Sequence, residues 1–101
     1  MNTLGGEKAV RRYSAHDSMK PINLYCHAPR AETVELIGDF NSWKAVLMDR
    51  RLDGWWSLQV VLCHGHHQYR FLVDGDPELD PSATGIGRDE HGEPVSLIAV
   101  S

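Results

Sequence analysis

The clearest pattern in the chain is a strict alternation of apolar and polar positions, which is typical of β-strands with one buried face. It is strongest over residues 55–62, where one face carries Trp56, Leu58, Val60 and Leu62. A second alternating segment, residues 67–73, places Tyr69 and Phe71 on one face and Arg70 on the other. The two segments predict strands, with Trp56, Tyr69 and Phe71 as the aromatic centre of a core.

Shorter segments between turn residues predict further strands, at residues 22–28, 33–38, 48–52 and 94–100. Asp53-Gly54 and Asp74-Gly75 are strong turn signals. Residues 80–94, rich in glycine, proline and charge, predict a long loop. Short strands with frequent turns and no convincing helix indicate an all-β sandwich of about seven mainly antiparallel strands.

The first twenty residues differ from the rest, because they mix glycine, serine, histidine and charged residues without sustained periodicity. This composition predicts a flexible N-terminal tail over residues 1–20. Pro21 marks the start of the folded part, so we expect one sandwich domain over residues 21–101.

Composition and charge mainly exclude classes of partner. The chain has 101 residues and a formal net charge of -4, so no positive field draws in nucleic acid. No apolar run approaches the roughly 20 residues that span a bilayer, and the N-terminus lacks the apolar stretch of a secretory signal. We therefore expect a cytoplasmic protein without a membrane partner. The two cysteines make no disulfide framework, and we expect free thiols.

The residue types that carry metal or catalytic chemistry are poorly spaced here. Cys63, His64, His66 and His67 lie close in sequence, but neighbouring strand positions point to opposite faces. The acidic residues fall in turns or on outer strand faces, without a facing pair of carboxylates, and no phosphate-binding glycine loop exists. We therefore expect no metal, no cofactor, no catalytic residue and no enzymatic activity.

Several motifs, taken in order, resemble a known family. V-E-L-I-G-D-F-N-S-W begins at Val34 and M-D-R-R-L-D-G-W-W at Met48; H-G-H-H-Q-Y-R-F-L-V-D-G begins at His64, and D-P and S-L-I-A-V follow. Together they resemble the glycogen-binding module of the regulatory β subunit of AMP-activated protein kinase. They are also similar to the N-terminal modules of isoamylase and glycogen branching enzymes, in carbohydrate-binding module family 48. Over residues 21–101, the resemblance implies an immunoglobulin-like, early-set β-sandwich that binds α-1,4-glucan.

The resemblance also implies a set of sugar-binding residues. The first tryptophan of the family's surface matches Trp43, whose flat indole suits the apolar face of a glucose ring. The basic residue matches Arg70, which can donate to sugar hydroxyls, and an asparagine near the last strand aligns with Ser96. From the residues alone, Trp43 could equally plug one end of the sandwich, and Arg70 could form an outward salt bridge.

The chain departs from the family pattern at two places. Pro77 stands where the family has a second tryptophan, and the charged segment 88–93 replaces a loop that inserts into the glucan helix. Trp55 is an additional outward aromatic that could compensate, or could pack across strands. With one stacking platform, we expect weak binding, on the order of 1 mM or about 4 kcal/mol.

Two functions follow as hypotheses. The first is a non-catalytic module for glycogen-like or starch-like α-1,4-glucan and maltooligosaccharides, acting beside a glucan-processing enzyme or another protein. Trp43, Arg70, Ser96 and Trp55 would contact the sugar. The alternative is a protein–protein interaction module that keeps the sandwich and has lost the sugar site, with Trp43 and Trp55 in the interface.

Overall fold

The structure is a computed structural model that describes residues 19–101, so the predicted tail lies outside the described residues except at its last two positions. The strands of this part are β1 (Lys20–His27), β2 (Val34–Gly38), β3 (Val46–Leu47), β4 (Asp49–Arg50), β5 (Trp55–Leu62), β6 (Gly65–Val73), β7 (Asp76–Glu78), β8 (Gly85–Arg88) and β9 (Pro94–Val100). Two 3₁₀ turns, Asp39–Asn41 and Leu52–Gly54, follow β2 and β4.

The strands form two antiparallel sheets. The larger has the order β3-β2-β6-β9-β8, and β7 pairs with the end of β6. The smaller has the order β1-β5-β4. The predicted all-β sandwich is therefore confirmed, while the immunoglobulin-like, early-set assignment stays a prediction. In the described part of the chain, no helix is long and apolar enough to cross a membrane.

The predicted loop over residues 80–94 is wrong in part, because it contains strand β8. This strand pairs with β9 through Gly85↔Leu97 and Gly87↔Val95. Two of its four residues are glycine, so it has no apolar alternation for a sequence pattern to detect. A Cβ on Gly87 would lie 3.2 Å from the Leu97 side chain, which explains why glycine suits this edge strand.

The core lies between the two sheets and contains the side chains that the alternation predicted. Trp56, Tyr69 and Phe71 are buried, with exposed fractions of 4%, 1% and 1%. Tyr69 and Phe71 meet edge to face, with ring centroids 5.9 Å apart. The Trp56 indole N–H donates to the carbonyl of Ala28 at 3.1 Å, so the largest core side chain has its polar atom paired.

Both predicted Asp-Gly turns are confirmed, and the two residues of each have positive φ. Asp53-Gly54 precedes β5, and Asp74-Gly75 connects β6 to β7. The Asp74 carboxylate also accepts the backbone N–H groups of Glu32 and Thr33, at 2.8 and 2.9 Å. These two bonds therefore hold the residues just before β2 against the end of β6.

A buried polar network centred on Asp80 joins the loop before β8 to the core. The carboxylate of Asp80 accepts the Tyr69 hydroxyl at 2.7 Å and the backbone N–H of Ser82 at 2.8 Å. The backbone N–H of Asp80 donates to the hydroxyl of Ser96 at 2.8 Å. Burial and the bond to Asp80 raise the pKa of Tyr69 well above its usual range, so this phenol remains the donor.

The two cysteines are free thiols in different environments. Cys26 is buried on the inward face of β1, and burial raises its pKa to about 11. Cys63 is exposed, just after β5.

Replacing Tyr69 by phenylalanine tests the Asp80 network. Tyr69→Phe keeps the ring in the core but removes the donor to Asp80. We expect a loss of about 1–3 kcal/mol in the free energy of unfolding, because a buried acceptor loses its partner. Urea denaturation followed by tryptophan fluorescence measures it. The control is Tyr25→Phe, which removes a hydroxyl from a side chain that is 54% exposed and should change stability by less than about 0.5 kcal/mol. Equal effects of the two substitutions would contradict the role given to the network.

Candidate functional site

The turn that follows β2 determines where Trp43 lies. The Asn41 side-chain oxygen accepts the backbone N–H of Gly38 at 3.0 Å, and the backbone N–H of Trp43 donates to the carbonyl of Gly38 at 2.8 Å. These two bonds close residues 38–43 into a compact loop. The asparagine of the G-D-F-N-x-W motif therefore has a structural role, because its side chain accepts a backbone N–H at the end of β2.

Two consecutive non-glycine residues of this loop adopt the left-handed conformation. Ser42 has φ 59° and Trp43 has φ 58°. L-residues visit this region rarely, and each such residue costs on the order of 1 kcal/mol or more. The bond from Trp43 to Gly38 and a 3.2 Å bond from the Lys44 N–H to the Asn41 carbonyl hold the conformation. The result is a half-buried indole at the outer side of the larger sheet.

Gly38 and Asp39 attach the same loop to strand β6. A Cβ on Gly38 would lie 2.6 Å from the Phe40 ring and 2.9 Å from the carbonyl oxygen of Gln68, so only glycine fits. The Asp39 carboxylate accepts the backbone N–H of Gln68 at 3.1 Å and lies 3.6 Å from the His67 imidazole. The Trp43 loop is thus fixed beside the strand that carries Arg70.

Arg70 projects from the outer face of β6, as the alternation predicted. Its guanidinium carbon lies 5.6 Å from the centroid of the Trp43 ring, within the range of a cation–π contact. Its Nη2 donates to the Asp89 carboxylate at 2.9 Å and to the carbonyl of Pro94 at 3.2 Å. The salt bridge that the sequence left as an alternative is therefore present, and the same side chain also lies beside the indole.

Asp89 organises the charged turn between β8 and β9. Its second carboxylate oxygen accepts the backbone N–H groups of His91 and Glu93, at 2.8 and 2.9 Å. The pKa of Asp89 is lowered to about 2, mainly by the bond from Arg70 and secondly by the bond from the Glu93 N–H. Asp89 is therefore ionised at neutral pH and restrains the Arg70 side chain.

These side chains surround a shallow cleft of about 430 Å³ on the outer face of the larger sheet. It is lined by Ile37, Trp43, Gln68, Arg70, Asp89, Glu90 and His91. A flat ring thus lies beside a cation, an amide and carboxylates within one concave surface. This combination suits a polyol ligand, since an apolar C–H face can stack while hydroxyls find donors and acceptors.

Pro77 lies on the same side of the molecule, beyond Arg70. It lines a smaller depression of about 200 Å³ with Arg70, Glu78, Leu79, Glu93 and Pro94. Strand β7 presents it opposite Leu72 on β6. The position that resembles the family's second tryptophan is therefore close to Arg70, but here it supplies a small saturated ring rather than a flat aromatic one.

Ser96 was predicted to contact sugar, and the structure contradicts this placement. It is directly opposite Tyr69 in the pairing of β9 with β6, so both side chains point inward. Ser96 is 0% exposed, and its hydroxyl accepts the N–H of Asp80. A buried hydroxyl with an internal partner is not available to a surface ligand, so Ser96 is left out of the site.

Trp55 is exposed, but on the opposite face of the sandwich from Trp43. Strand β5 belongs to the smaller sheet, and its Trp56 points into the core. The neighbouring Trp55 therefore points to solvent on the outer face of the smaller sheet. Its ring lies 4.7 Å from that of His27, and it lines a depression with Tyr25 and Leu52. Trp55 therefore does not line the cleft of Trp43, and the suggestion that it compensates for the missing second tryptophan has no support in the geometry.

Five lining residues were not predicted from the sequence: Ile37, Gln68, Asp89, Glu90 and His91. Strand alternation could have found Gln68, which shares the outward face of Arg70. Ile37 is the cross-strand partner of Arg70, so knowledge of the register would have found it. Asp89, Glu90 and His91 lie in a turn whose position depends on the pairing of β8 with β9, and no local pattern predicts that.

The described residues contain no group of three or more histidine, cysteine, aspartate or glutamate side chains that could hold a metal ion. Among the four residues Cys63, His64, His66 and His67, the structure turns only His67 inward, where its ring nitrogen lies 2.9 Å from the Cys63 carbonyl.

Comparison with known proteins gives a family match and two similar proteins. A family model described as the glycogen recognition site of AMP-activated protein kinase matches residues 24–101. A 1,4-alpha-glucan branching enzyme GlgB of Lactobacillus acidophilus is 42% identical over 62 residues, which are 55% of this chain and 10% of that protein. A 5'-AMP-activated protein kinase subunit beta-1 of Sus scrofa is 41% identical over 49 residues, 48% of this chain and 39% of that subunit. The chain thus spans well under half the length of either relative.

Adding a methyl group at Gly38 tests the tight packing that holds the Trp43 loop. Gly38→Ala should lower the free energy of unfolding by about 1–3 kcal/mol, because the neighbouring backbone oxygen of Gln68 cannot move away freely. Chemical denaturation measures the loss. Gly85→Ala is the matched control, since its Cβ would meet Leu97 at an ordinary 3.8 Å. A Gly38→Ala protein as stable as Gly85→Ala would refute the close approach.

The titration of Asp89 tests the Arg70–Asp89 pair. A carboxylate with a lowered folded-state pKa stabilises the folded protein above its unfolded pKa, and that contribution is lost as the pH falls through the folded value. We expect the ¹³C carboxyl signal of Asp89 to titrate near pH 2 rather than near 3.8. In Arg70→Ala the midpoint should rise. An unchanged midpoint in that variant would show that the backbone N–H groups alone lower the pKa.

Proposed function

This chain belongs to the family described as the glycogen recognition site of AMP-activated protein kinase, and on that premise we propose that it binds α-1,4-glucan without catalysing a reaction. The observation that carries the proposal is the position of Trp43 beside Arg70 in a concave cleft on the outer sheet face. The fold by itself would not support a ligand, since similar sandwiches serve many functions.

The chemistry of the cleft supports a glucosyl ring as the ligand. The indole of Trp43 offers an apolar plane to the C–H face of the sugar. Nη2 of Arg70 is used by Asp89 and Pro94, while Nη1 and Nε have no hydrogen-bond acceptor among the described residues. We propose that these nitrogens donate to sugar hydroxyls and that Gln68 adds an amide donor and acceptor.

The affinity of a single site of this kind should be low. One stacking ring and a few exposed hydrogen bonds suggest a dissociation constant on the order of 1 mM, about 4 kcal/mol. Weak binding is useful on a polymer with many chain ends, since a module linked to another glucan-binding element gains from effective concentration. Both relatives are much longer than this chain, and we propose that it likewise acts beside a glucan-processing enzyme or other protein.

A second candidate function, protein–protein interaction, is favoured by the outer face of the smaller sheet and the turn before β5. Tyr25, Leu52, Trp55 and Val61 are 54%, 84%, 44% and 56% exposed. Large apolar side chains gathered on one exposed face often mark a docking surface. This candidate uses a different face from the sugar cleft, so the two functions are compatible. The cytoplasmic location expected from the sequence stays a prediction.

A pair of tryptophan substitutions separates the two faces. Trp43→Ala should weaken β-cyclodextrin and maltoheptaose binding at least tenfold, because the stacking plane is removed, whereas Trp55→Ala should change it less than about twofold. Titration followed by amide chemical shifts, which does not depend on tryptophan fluorescence, measures both variants. Circular dichroism confirms that each variant is folded.

Three results of that experiment would count against the sugar site at Trp43. Loss of binding in Trp55→Ala with normal binding in Trp43→Ala would move the site to the opposite face. Equal losses would indicate an indirect effect of either substitution. No saturable shift for the unsubstituted protein at about 10 mM sugar would favour the protein-interaction candidate.

A further inference from the structure

Arg70 divides the outer face of the larger sheet into two separate depressions. Among residues 19–101, it is the one that lines both the cleft of Trp43 and the smaller depression of Pro77. Its guanidinium is held by Asp89 and by the Pro94 carbonyl, which lie at the two ends of the β8–β9 turn. We call Arg70, Asp89 and Pro94 together the ridge.

The ridge is a restrained feature of the surface. The Arg70 and Asp89 side chains are only 16% and 14% exposed, and their charged atoms are 2.9 Å apart. Asp89 is itself held by the N–H groups of His91 and Glu93, so it cannot move without opening the turn. A ligand that reached from one depression to the other would have to lie across Arg70, which Asp89 and the Pro94 carbonyl hold in place.

The size of the Trp43 cleft sets how much glucan fits on one side. A glucosyl unit occupies roughly 150–200 Å³ at the packing density of organic solids, so 430 Å³ holds about two to three units. The depression beyond the ridge, at 200 Å³, holds about one. Two glutamates, Glu78 and Glu93, line that smaller depression, and none of its lining residues in the described part of the chain is aromatic.

We infer that this site binds a short segment of about two to three glucosyl units, and that longer chains gain no added contact beyond Arg70. This inference rests on the proposed glucan binding. The ligand class is therefore a short maltooligosaccharide or the accessible end of a glucan branch, rather than an extended stretch of glucan helix. The geometric reason is the ridge, which ends the sugar-contacting surface next to its single stacking ring.

The test measures affinity against chain length on the unsubstituted protein. Maltose, maltotriose, maltopentaose and maltoheptaose are titrated separately and followed by amide chemical shifts. Affinity should rise up to maltotriose and then increase by no more than about fivefold to maltoheptaose, which is the number of three-unit registers that a seven-unit chain offers. Shifts should concentrate at Gln68, Arg70 and His91 and be absent at Glu78 and Leu79.

Pro77→Ala provides the control beyond the ridge. Pro77 is exposed, and its loss should leave the dissociation constants of maltotriose and maltoheptaose unchanged within about twofold. A gain from maltotriose to maltoheptaose clearly above about fivefold, or a Pro77→Ala effect on the longer sugar alone, would overturn the inference while glucan binding stands. If no sugar gives a saturable shift, the proposed function fails and the inference with it.

Discussion

Strand β6 carries the core on one face and the candidate site on the other, because successive side chains of a strand point to opposite sides of the sheet. Tyr69 and Phe71 are buried between the sheets, and Arg70 between them projects outward. Any shift of this strand by one residue would expose two aromatic rings and bury a guanidinium. The hydrophobic core therefore determines the position of Arg70 as firmly as it determines the fold.

The main side chains of the candidate site are held in place by internal contacts. The Trp43 loop is closed by hydrogen bonds and packed against Gly38, and Arg70 is held by Asp89. Restraint of this kind reduces the entropy that binding would otherwise cost. It also has a cost, because Ser42 and Trp43 adopt positive φ and the Asp89 bond occupies donors of Arg70 that a sugar could have used.

The two outer faces of the sandwich differ in chemistry. The face of the larger sheet is concave around Trp43 and rich in charge, whereas the face around Trp55 is more apolar, and the Trp55 ring contacts that of His27 at a tilt of 41°. A module inside a larger assembly can bind sugar on one face and a protein on the other without competition. The family match supports the first of these roles, and the exposed apolar side chains support the second.

The amino-acid sequence by itself determined the strand pattern, the Asp-Gly turns and the aromatic core, because these depend on local alternation and on residues that favour positive φ. Its motifs also indicated Trp43 and Arg70. The tertiary structure alone decided which outward residues share a surface: it turned Ser96 inward opposite Tyr69 and separated Trp55 from Trp43. It also brought Asp89 to Arg70, since cross-strand register and sheet membership arise from long-range pairing that no local pattern encodes.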